Sequence, residues 1–171
     1  MVSQLDDQLR RLETFLDGWQ VQHLEWQAKP GRNTVGMLLT HMAIVELVWM
    51  HLASGGTRET REARVRATLG VSLECDGIPM PADGRHPATL AGQEVGTYLD
   101  RIKRARETTR QVASSWLDKD IDKTFEAHGH SFTREWVLYH LLEHFAAHFG
   151  QIALLAHGMR DNKGSLPARE T

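Results

Sequence analysis

Three histidines carry the clearest chemical signal in this sequence of 171 residues, which holds ten histidines in all. His144 and His148 lie four positions apart in an apolar segment, a step that turns a helix by only about 40° beyond one full turn. Two imidazoles at this spacing share one helix face, as in helices that bind zinc. His41 lies in another apolar segment much earlier in the chain. Together they predict a site in which two helices hold one divalent metal ion.

Helical rotation places these histidines toward the core. With Val137 set at zero, His144 falls near about 340° and His148 near about 20°, in the directions that apolar residues also take. His41 lies at the centre of the apolar stripe of its own helix. His140 falls near about 300°, at the margin of the apolar arc. The rotation therefore separates a central pair on the last helix from a peripheral third histidine.

The alternative for any single buried histidine is a core residue satisfied by a neighbour. Three imidazoles facing one core are harder to explain in this way, since each buried without a partner costs about 1–3 kcal/mol. A metal ion removes that cost, and three protein ligands leave a position open, as in catalytic zinc sites. Glu46 is about 140° from His41, and Glu143 is about 240° round its own helix. No carboxylate is thus expected beside the ligands, and Cys75 has no visible activating partner.

The other histidines are expected to have lesser roles. His140 is expected to support the ligands from outside or to make a partly exposed polar contact, and His51 to lie off the core. Those on termini and connections are expected to be solvated, although His128 or His130 could reach the mouth of the site: His23, His86, His128, His130 and His157.

Four long segments with helical spacing must position these residues. They cover residues from about 4–26, 34–53, 88–116 and 133–157, and they predict an all-α, up-down four-helix bundle in a single domain spanning 1–171. The pattern indicates no strand. Residues 55–88 are expected to form a long connection and a candidate lid, with a short charged helix near 58–66 and no regular structure over 71–88. The charge run Lys103, Arg104, Arg106 and Glu107 is expected to face solvent, and the tail 160–171 to be disordered.

Composition narrows the functional class. The formal net charge is −2, which gives no basic face for nucleic acid. The uninterrupted apolar runs are shorter than the roughly 20 residues that span a bilayer, and the N-terminal residues lack a signal-peptide core. The single cysteine fits a reducing compartment. We therefore expect a cytoplasmic protein that binds neither nucleic acid nor membrane.

Two segments resemble the DinB/YfiT-like family. The stretch His144-Phe-Ala-Ala-His148-Phe-Gly-Gln-Ile152 is similar to the family's HxxxHRGQI segment. Leu38-Leu39-Thr40-His41 matches the segment that carries the family's first histidine. Order and separation also agree, with one departure, because Phe149 stands where the family usually has arginine.

The resemblance implies a four-helix bundle, often a homodimer, whose histidine triad holds a divalent metal. Zinc or nickel is expected first, and manganese, iron or cobalt is compatible. Some relatives transfer low-molecular-weight thiols such as bacillithiol, mycothiol or glutathione, so the leading hypothesis is a thiol-dependent S-transferase acting on a small-molecule substrate. The alternatives are a metal-dependent hydrolase and a non-catalytic, metal-stabilised bundle that binds a ligand or partner.

Overall fold

The computed structural model describes residues 1–76 and 81–161. Its helices and strands, in chain order, are α1 (Val2–Phe15), α2 (Val21–Glu25), α3 (Val35–Ala53), α4 (Arg61–Leu69), α5 (Val95–Ser114), β1 (Thr124–Ala127), β2 (His130–Thr133) and α6 (Arg134–Asp161). Short 3₁₀ turns cover Leu73–Asp76, Ala88–Leu90 and Asp118–Asp120. Of the tail predicted to be disordered, 160–161 belong to α6, and the rest lies outside the described residues.

The four long helices enclose one core. α3 packs against α5 and α6, and α1 packs against the same two helices. The all-α four-helix bundle predicted from the sequence is therefore confirmed. α3 is the most apolar of the four and is buried along most of its length, so it supplies the centre of the core.

α3 is also long and apolar enough to cross a bilayer. Its most apolar window has a mean hydropathy of 1.5, but 72% of that window is buried inside the bundle. Burial within the protein is the ordinary property of a central core helix. The hydropathy of α3 thus gives only weak support to a membrane span.

The first predicted helix, 4–26, is wrong as one continuous element. α1 buries Leu5, Leu9 and Leu12 as the spacing predicts, but it ends at Phe15. Gly18 follows with a positive φ of 73°, which breaks the helical path. The chain then restarts as the short helix α2.

Two other helix limits differ from the prediction. The third helix begins at Val95 instead of 88, because Gly92 with its φ of 74° separates it from the preceding 3₁₀ turn. The last helix continues past its predicted end at 157 to Asp161 and includes Gly158. A Cβ at Gly158 would lie 3.3 Å from the ring of Trp26, so close packing explains this glycine.

The connection 55–88 is more ordered than predicted. α4 buries Val65 and Leu69 and packs against α3 and α5. A 3₁₀ turn over Leu73–Asp76 also contacts α3. The expected absence of regular structure over 71–88 is thus wrong for these described residues. α4 packs on α3 and α5, whereas α6 carries two of the three histidines.

A β-hairpin, which the sequence pattern did not indicate, precedes α6. β1 and β2 pair antiparallel with Phe125 opposite Phe132. His128 and Gly129 join them with positive φ values of 52° and 79°, as a tight two-residue hairpin turn requires. Strands of four residues are too short to display a clear alternation, which is why periodicity missed them.

A buried ion-pair network ties α3 to α5 and α1. Arg106 is fully buried, in contrast to the predicted solvated position, and its Nε and Nη2 atoms donate to the Glu46 carboxylate at 2.7 and 3.0 Å. Nη1 of Arg106 donates to Asp6, and the Thr109 hydroxyl donates to Glu46. Partial burial raises the pKa of Asp6, but hydrogen bonds from Arg110 and Arg106 lower it overall. The charge run predicted to face solvent on α5 therefore includes one buried cation, Arg106.

Candidate metal centre

The packing of α3 against α6 brings the three predicted histidines together. His41 lies in the second turn of α3, whose N-terminus is capped by the Thr34 hydroxyl accepting from the Met37 amide. His144 and His148 lie one turn apart in α6, where Thr133 caps the Trp136 amide at 3.0 Å. All three imidazoles are half-buried, so the site is anchored in the bundle yet open to solvent.

The three ring nitrogens converge on one point. His144 Nε2 lies 2.9 Å from His41 Nε2 and 3.0 Å from His148 Nε2. The candidate ligand atoms of all three residues lie within 4.8 Å of one another. Two nitrogens bound to zinc at 2.0–2.1 Å and at a tetrahedral angle are roughly 3.3 Å apart, so the His144–His41 and His144–His148 pairs would need to separate by only a few tenths of an ångström. The donor set therefore fits a divalent metal that accepts imidazole.

Gln151 orients one of the histidines. Its Oε1 atom lies 2.9 Å from Nδ1 of His148. A carbonyl oxygen accepts hydrogen bonds, so Nδ1 carries the ring proton and Nε2 keeps its lone pair directed at the other two rings. This is the outer support that metal-binding histidines usually have. The sequence offered a signal, since Gln151 lies in the family-like segment three residues after His148, but periodicity assigned it no role.

Replacing Gln151 with methionine is expected to weaken metal binding without breaking the fold. Loss of such an outer hydrogen bond typically lowers metal affinity by roughly 10- to 100-fold. Competition with a chelator of known affinity would measure the change. Gln151→Glu is the matched control, because a carboxylate also accepts from Nδ1, and it should retain tight binding. Equal affinities for wild type and Gln151→Met would contradict the orienting role.

The environment keeps His144 neutral. Burial, followed by the neighbouring His148, His41 and His140 rings, lowers the pKa of His144 from its ordinary value of 6.5 to about 3. A neutral imidazole has a lone pair to donate, which is the form a metal requires. The fold thus holds His144 in the ligand form well below neutral pH.

This pKa predicts how the metal-free protein responds to acid. The unfolded chain protonates His144 near 6.5 and the folded protein near 3, so the unfolded state binds more protons between these values. The free energy of unfolding should therefore fall as the pH drops from 6.5 toward 3. His144→Gln should remove up to about 1.4 kcal/mol per pH unit of this slope, the limit for one linked proton. Urea denaturation with a chelator present, across that range, would measure it. An identical pH dependence in both proteins would exclude the buried neutral state.

His140 lies beside the three histidines, outside the group that could share an ion. Its ring stacks on Trp136 at 4.7 Å with an interplanar angle of 10°, and its Nδ1 contacts Glu143 Oε1 at 3.1 Å. The His140 and His144 ring centroids are 5.6 Å apart. This arrangement agrees with the peripheral position that helical rotation gave His140.

Aromatic rings extend from His140 to the hairpin. Trp49 contacts Phe132 at 5.1 Å, Trp136 at 5.2 Å and His140 at 5.4 Å between ring centroids. His128 and His130 are exposed on the hairpin, as expected, and His128 lies 5.7 Å from Trp49. The hairpin therefore packs against the same end of α6 that leads to His144.

Two histidines expected to be solvated are not. His23 is 5% exposed, and its Nδ1 accepts from the Gln20 amide at 2.9 Å, which starts α2. His86 is half-buried with Nδ1 2.8 Å from the Thr34 hydroxyl. Both histidines thus make local hydrogen bonds, His23 at the start of α2 and His86 with the residue that caps α3.

Phe149 follows His148 at the position where the family-like segment usually has arginine. Its ring packs edge-on against Phe15 with centroids 5.4 Å apart. Phe149 thus joins α6 to the end of α1 through an apolar contact. The metal-ligand candidates are unaffected by this difference.

Fold and site together define a four-helix-bundle protein with a candidate three-histidine metal centre. The family model described as "Mycothiol-S-transferase" matches residues 1–159. The chain therefore belongs to the mycothiol-S-transferase family, and the resemblance to DinB-like proteins is confirmed.

The solved structures give the same fold. A crystal structure of a DinB-like protein from Bacillus cereus ATCC 10987 is similar to this chain with a TM-score of 0.59 and 19% sequence identity. The match covers 95% of this chain and 91% of that protein. No curated protein matches the sequence significantly.

Proposed function

We propose that His41, His144 and His148 hold one divalent metal ion and that the protein transfers a low-molecular-weight thiol to an electrophilic small molecule. The observation that carries this proposal is the convergence of three ring nitrogens within 4.8 Å at a site open to solvent. Membership of the mycothiol-S-transferase family supports the choice of thiol chemistry and makes mycothiol the first thiol to test. Zinc and nickel are the metals proposed first, since imidazole suits both.

The proposed reaction needs a thiolate. A divalent ion bound by the three nitrogens would favour the thiolate form of a thiol at neutral pH. The sulfur forms a bond to the electrophilic carbon while the bond from that carbon to its leaving group breaks and the leaving group takes the electron pair. The thiol proton passes to solvent, which the half-exposed position of the histidines permits.

The carboxylates near the site support thiol transfer over hydrolysis. Metal-dependent hydrolysis is usually assisted by a nearby general base. Glu46 is buried and paired with Arg106, and Glu143 is directed at His140. Glu46 is therefore engaged elsewhere, Glu143 contacts a histidine outside the group of three, and a thiolate needs no base once formed. The hydrolase and the non-catalytic bundle stay as alternative outcomes of the test.

We also propose that the protein acts in the cytoplasm as a homodimer. A single buried cysteine fits a compartment in which low-molecular-weight thiols stay reduced. Trp19 packs against Phe15 within the chain. Trp49 lies in the aromatic contacts around His140.

The test is a transfer assay on metal-loaded protein. Mycothiol, bacillithiol and glutathione are each incubated with a chloro-aromatic compound and an epoxide, and thioether products are measured. The proposal predicts metal-dependent product with at least one thiol, and mycothiol is expected to give the highest rate. Ester hydrolysis without thioether formation would favour the hydrolase. Bound metal with neither reaction would favour the non-catalytic bundle.

A further inference from the structure

A second polar cavity lies away from the three histidines. It has a volume of about 340 Å³ and is lined mainly by polar residues of α4, the connection after it and the start of α5, among them Arg66, Ser72, Cys75, Thr89, Gln93 and Arg101. This volume is at the lower end of the range for small-molecule sites. None of these residues belongs to the proposed metal centre. The cavity is therefore a separate place at which a small ligand could bind.

Arg101 is the distinctive group in this cavity. It is 7% exposed; its Nε atom donates to the Leu69 carbonyl at 3.3 Å, and Nη1 donates to Gln93 Oε1 at 2.6 Å. Over the part of the chain that the structure describes, no carboxylate forms an ion pair with Arg101. Arg106 on the same helix differs sharply, because it has both Glu46 and Asp6. Among the described residues, Arg101 is thus a buried cation whose hydrogen-bond acceptors are neutral.

Burial of the Arg101 charge has an energetic consequence. Desolvation lowers the pKa of Arg101, although the charges of Tyr98 and Cys75 raise it. The guanidinium carries five N–H donors, and its hydrogen bonds to described residues use two of them. An anion in the cavity would offset the desolvation of the charge and accept from the remaining donors.

The rest of the cavity also suits an anion. Ser72 and Thr89 supply hydroxyl donors on either side of Cys75, whose sulfur lies 3.9 Å from the first and 3.7 Å from the second. Arg66 adds a second guanidinium, although it is already paired with Glu62. No carboxylate is among the described residues that line the cavity. The lining is therefore unsuited to a metal cation and complementary to an oxyanion.

We propose that this cavity binds a small molecule bearing a carboxylate or phosphate group, with the anionic group on Arg101. The planar guanidinium can form two parallel hydrogen bonds to either group. The neighbouring hydroxyls of Ser72 and Thr89 would contact its remaining oxygens. The limited volume fits a small metabolite and excludes a macromolecular ligand from the cavity itself.

Cys75 provides a direct reporter, because it is the single cysteine of the chain. The rate at which full-length protein reacts with uncharged methyl methanethiosulfonate is measured in inorganic phosphate, acetate or chloride at equal ionic strength. The proposal predicts that phosphate, acetate or both slow the modification of Cys75 in a saturable way. The anion that protects shows whether the cavity prefers a phosphate or a carboxylate group. His144→Gln should show the same protection, which separates this cavity from the metal centre.

Arg101→Gln should lower the affinity for the protecting anion by roughly 10- to 100-fold, as expected for the loss of a charge-assisted hydrogen bond. Arg104→Gln is the matched control, since Arg104 is exposed on the same helix, and it should leave protection unchanged. If Arg101→Gln does not fold, Thr89→Val tests the same site and should weaken protection less severely. Identical rates in all three salts, or full protection in folded Arg101→Gln, would overturn the proposal and leave Arg101 as a structural partner of the Leu69 carbonyl.

Discussion

Replacing His144 with glutamine is expected to lower the metal affinity by at least about 100-fold, because loss of an outer hydrogen bond alone costs 10- to 100-fold. His144 is the middle ligand candidate, with its Nε2 atom 2.9 Å from that of His41 and 3.0 Å from that of His148. Its removal leaves two ligand nitrogens, one from His41 on α3 and one from His148 on α6, without the ligand between them. Thiol transfer should fall below detection, because the proposed thiolate depends on the bound ion.

The control for this substitution lies one turn earlier on the same helix. His140→Gln removes an imidazole whose centroid is 5.6 Å from that of His144. The His140 ring stacks on Trp136 and contacts Glu143, so it is not expected to bind the ion. Its metal affinity should stay within about threefold of wild type, a change below 1 kcal/mol. Chelator competition and the thioether assay would be applied to both variants. Equal losses of metal affinity in the two variants would contradict a site defined by the geometry of the three histidines.

Replacing Arg106 with methionine is expected to lower the free energy of unfolding by about 3–5 kcal/mol, the range seen when one partner of a buried ion pair is removed. Glu46 would stay buried with its cation gone, and the Thr109 hydroxyl alone cannot compensate a carboxylate charge. Methionine keeps much of the apolar volume beside Phe145, over which the guanidinium lies at 5.5 Å. Urea denaturation would measure the loss.

Two further proteins make the stability prediction specific. Arg104→Met changes an exposed arginine two positions away and should alter stability by no more than about 0.5 kcal/mol. The double variant Glu46→Leu with Arg106→Met removes both charges and should recover most of the loss. A cost below about 1 kcal/mol for Arg106→Met would show that the buried pair contributes little.

The candidate site could be predicted because helix geometry is nearly invariant. The spacing of His144 and His148 fixes their common direction once the segment is known to be helical, and the apolar stripe around His41 fixes the other side. The two helices then had only to pack against each other, which a four-helix bundle provides. The resemblance to the DinB-like family rested on the same residues.

The parts that escaped prediction depend on contacts that periodicity does not encode. Arg106 belongs to a charged run, and its burial is tolerable because it pairs with Glu46, 60 positions away, and with Asp6. The break after Phe15 depends on the backbone conformation of Gly18. The hairpin depends on a turn at His128 and Gly129 between strands too short to show alternation. Gln151 acquires its role only because its side chain reaches back to His148.

Metal analysis of freshly purified protein tests the central claim most directly. The protein is prepared without nickel resin, and its divalent metals are quantified per chain together with those of His144→Gln. A three-histidine site predicts about one equivalent in wild type and a large loss in the variant. Less than about a tenth of an equivalent in wild type, with none gained after incubation with zinc or nickel, would contradict a metal centre at His41, His144 and His148.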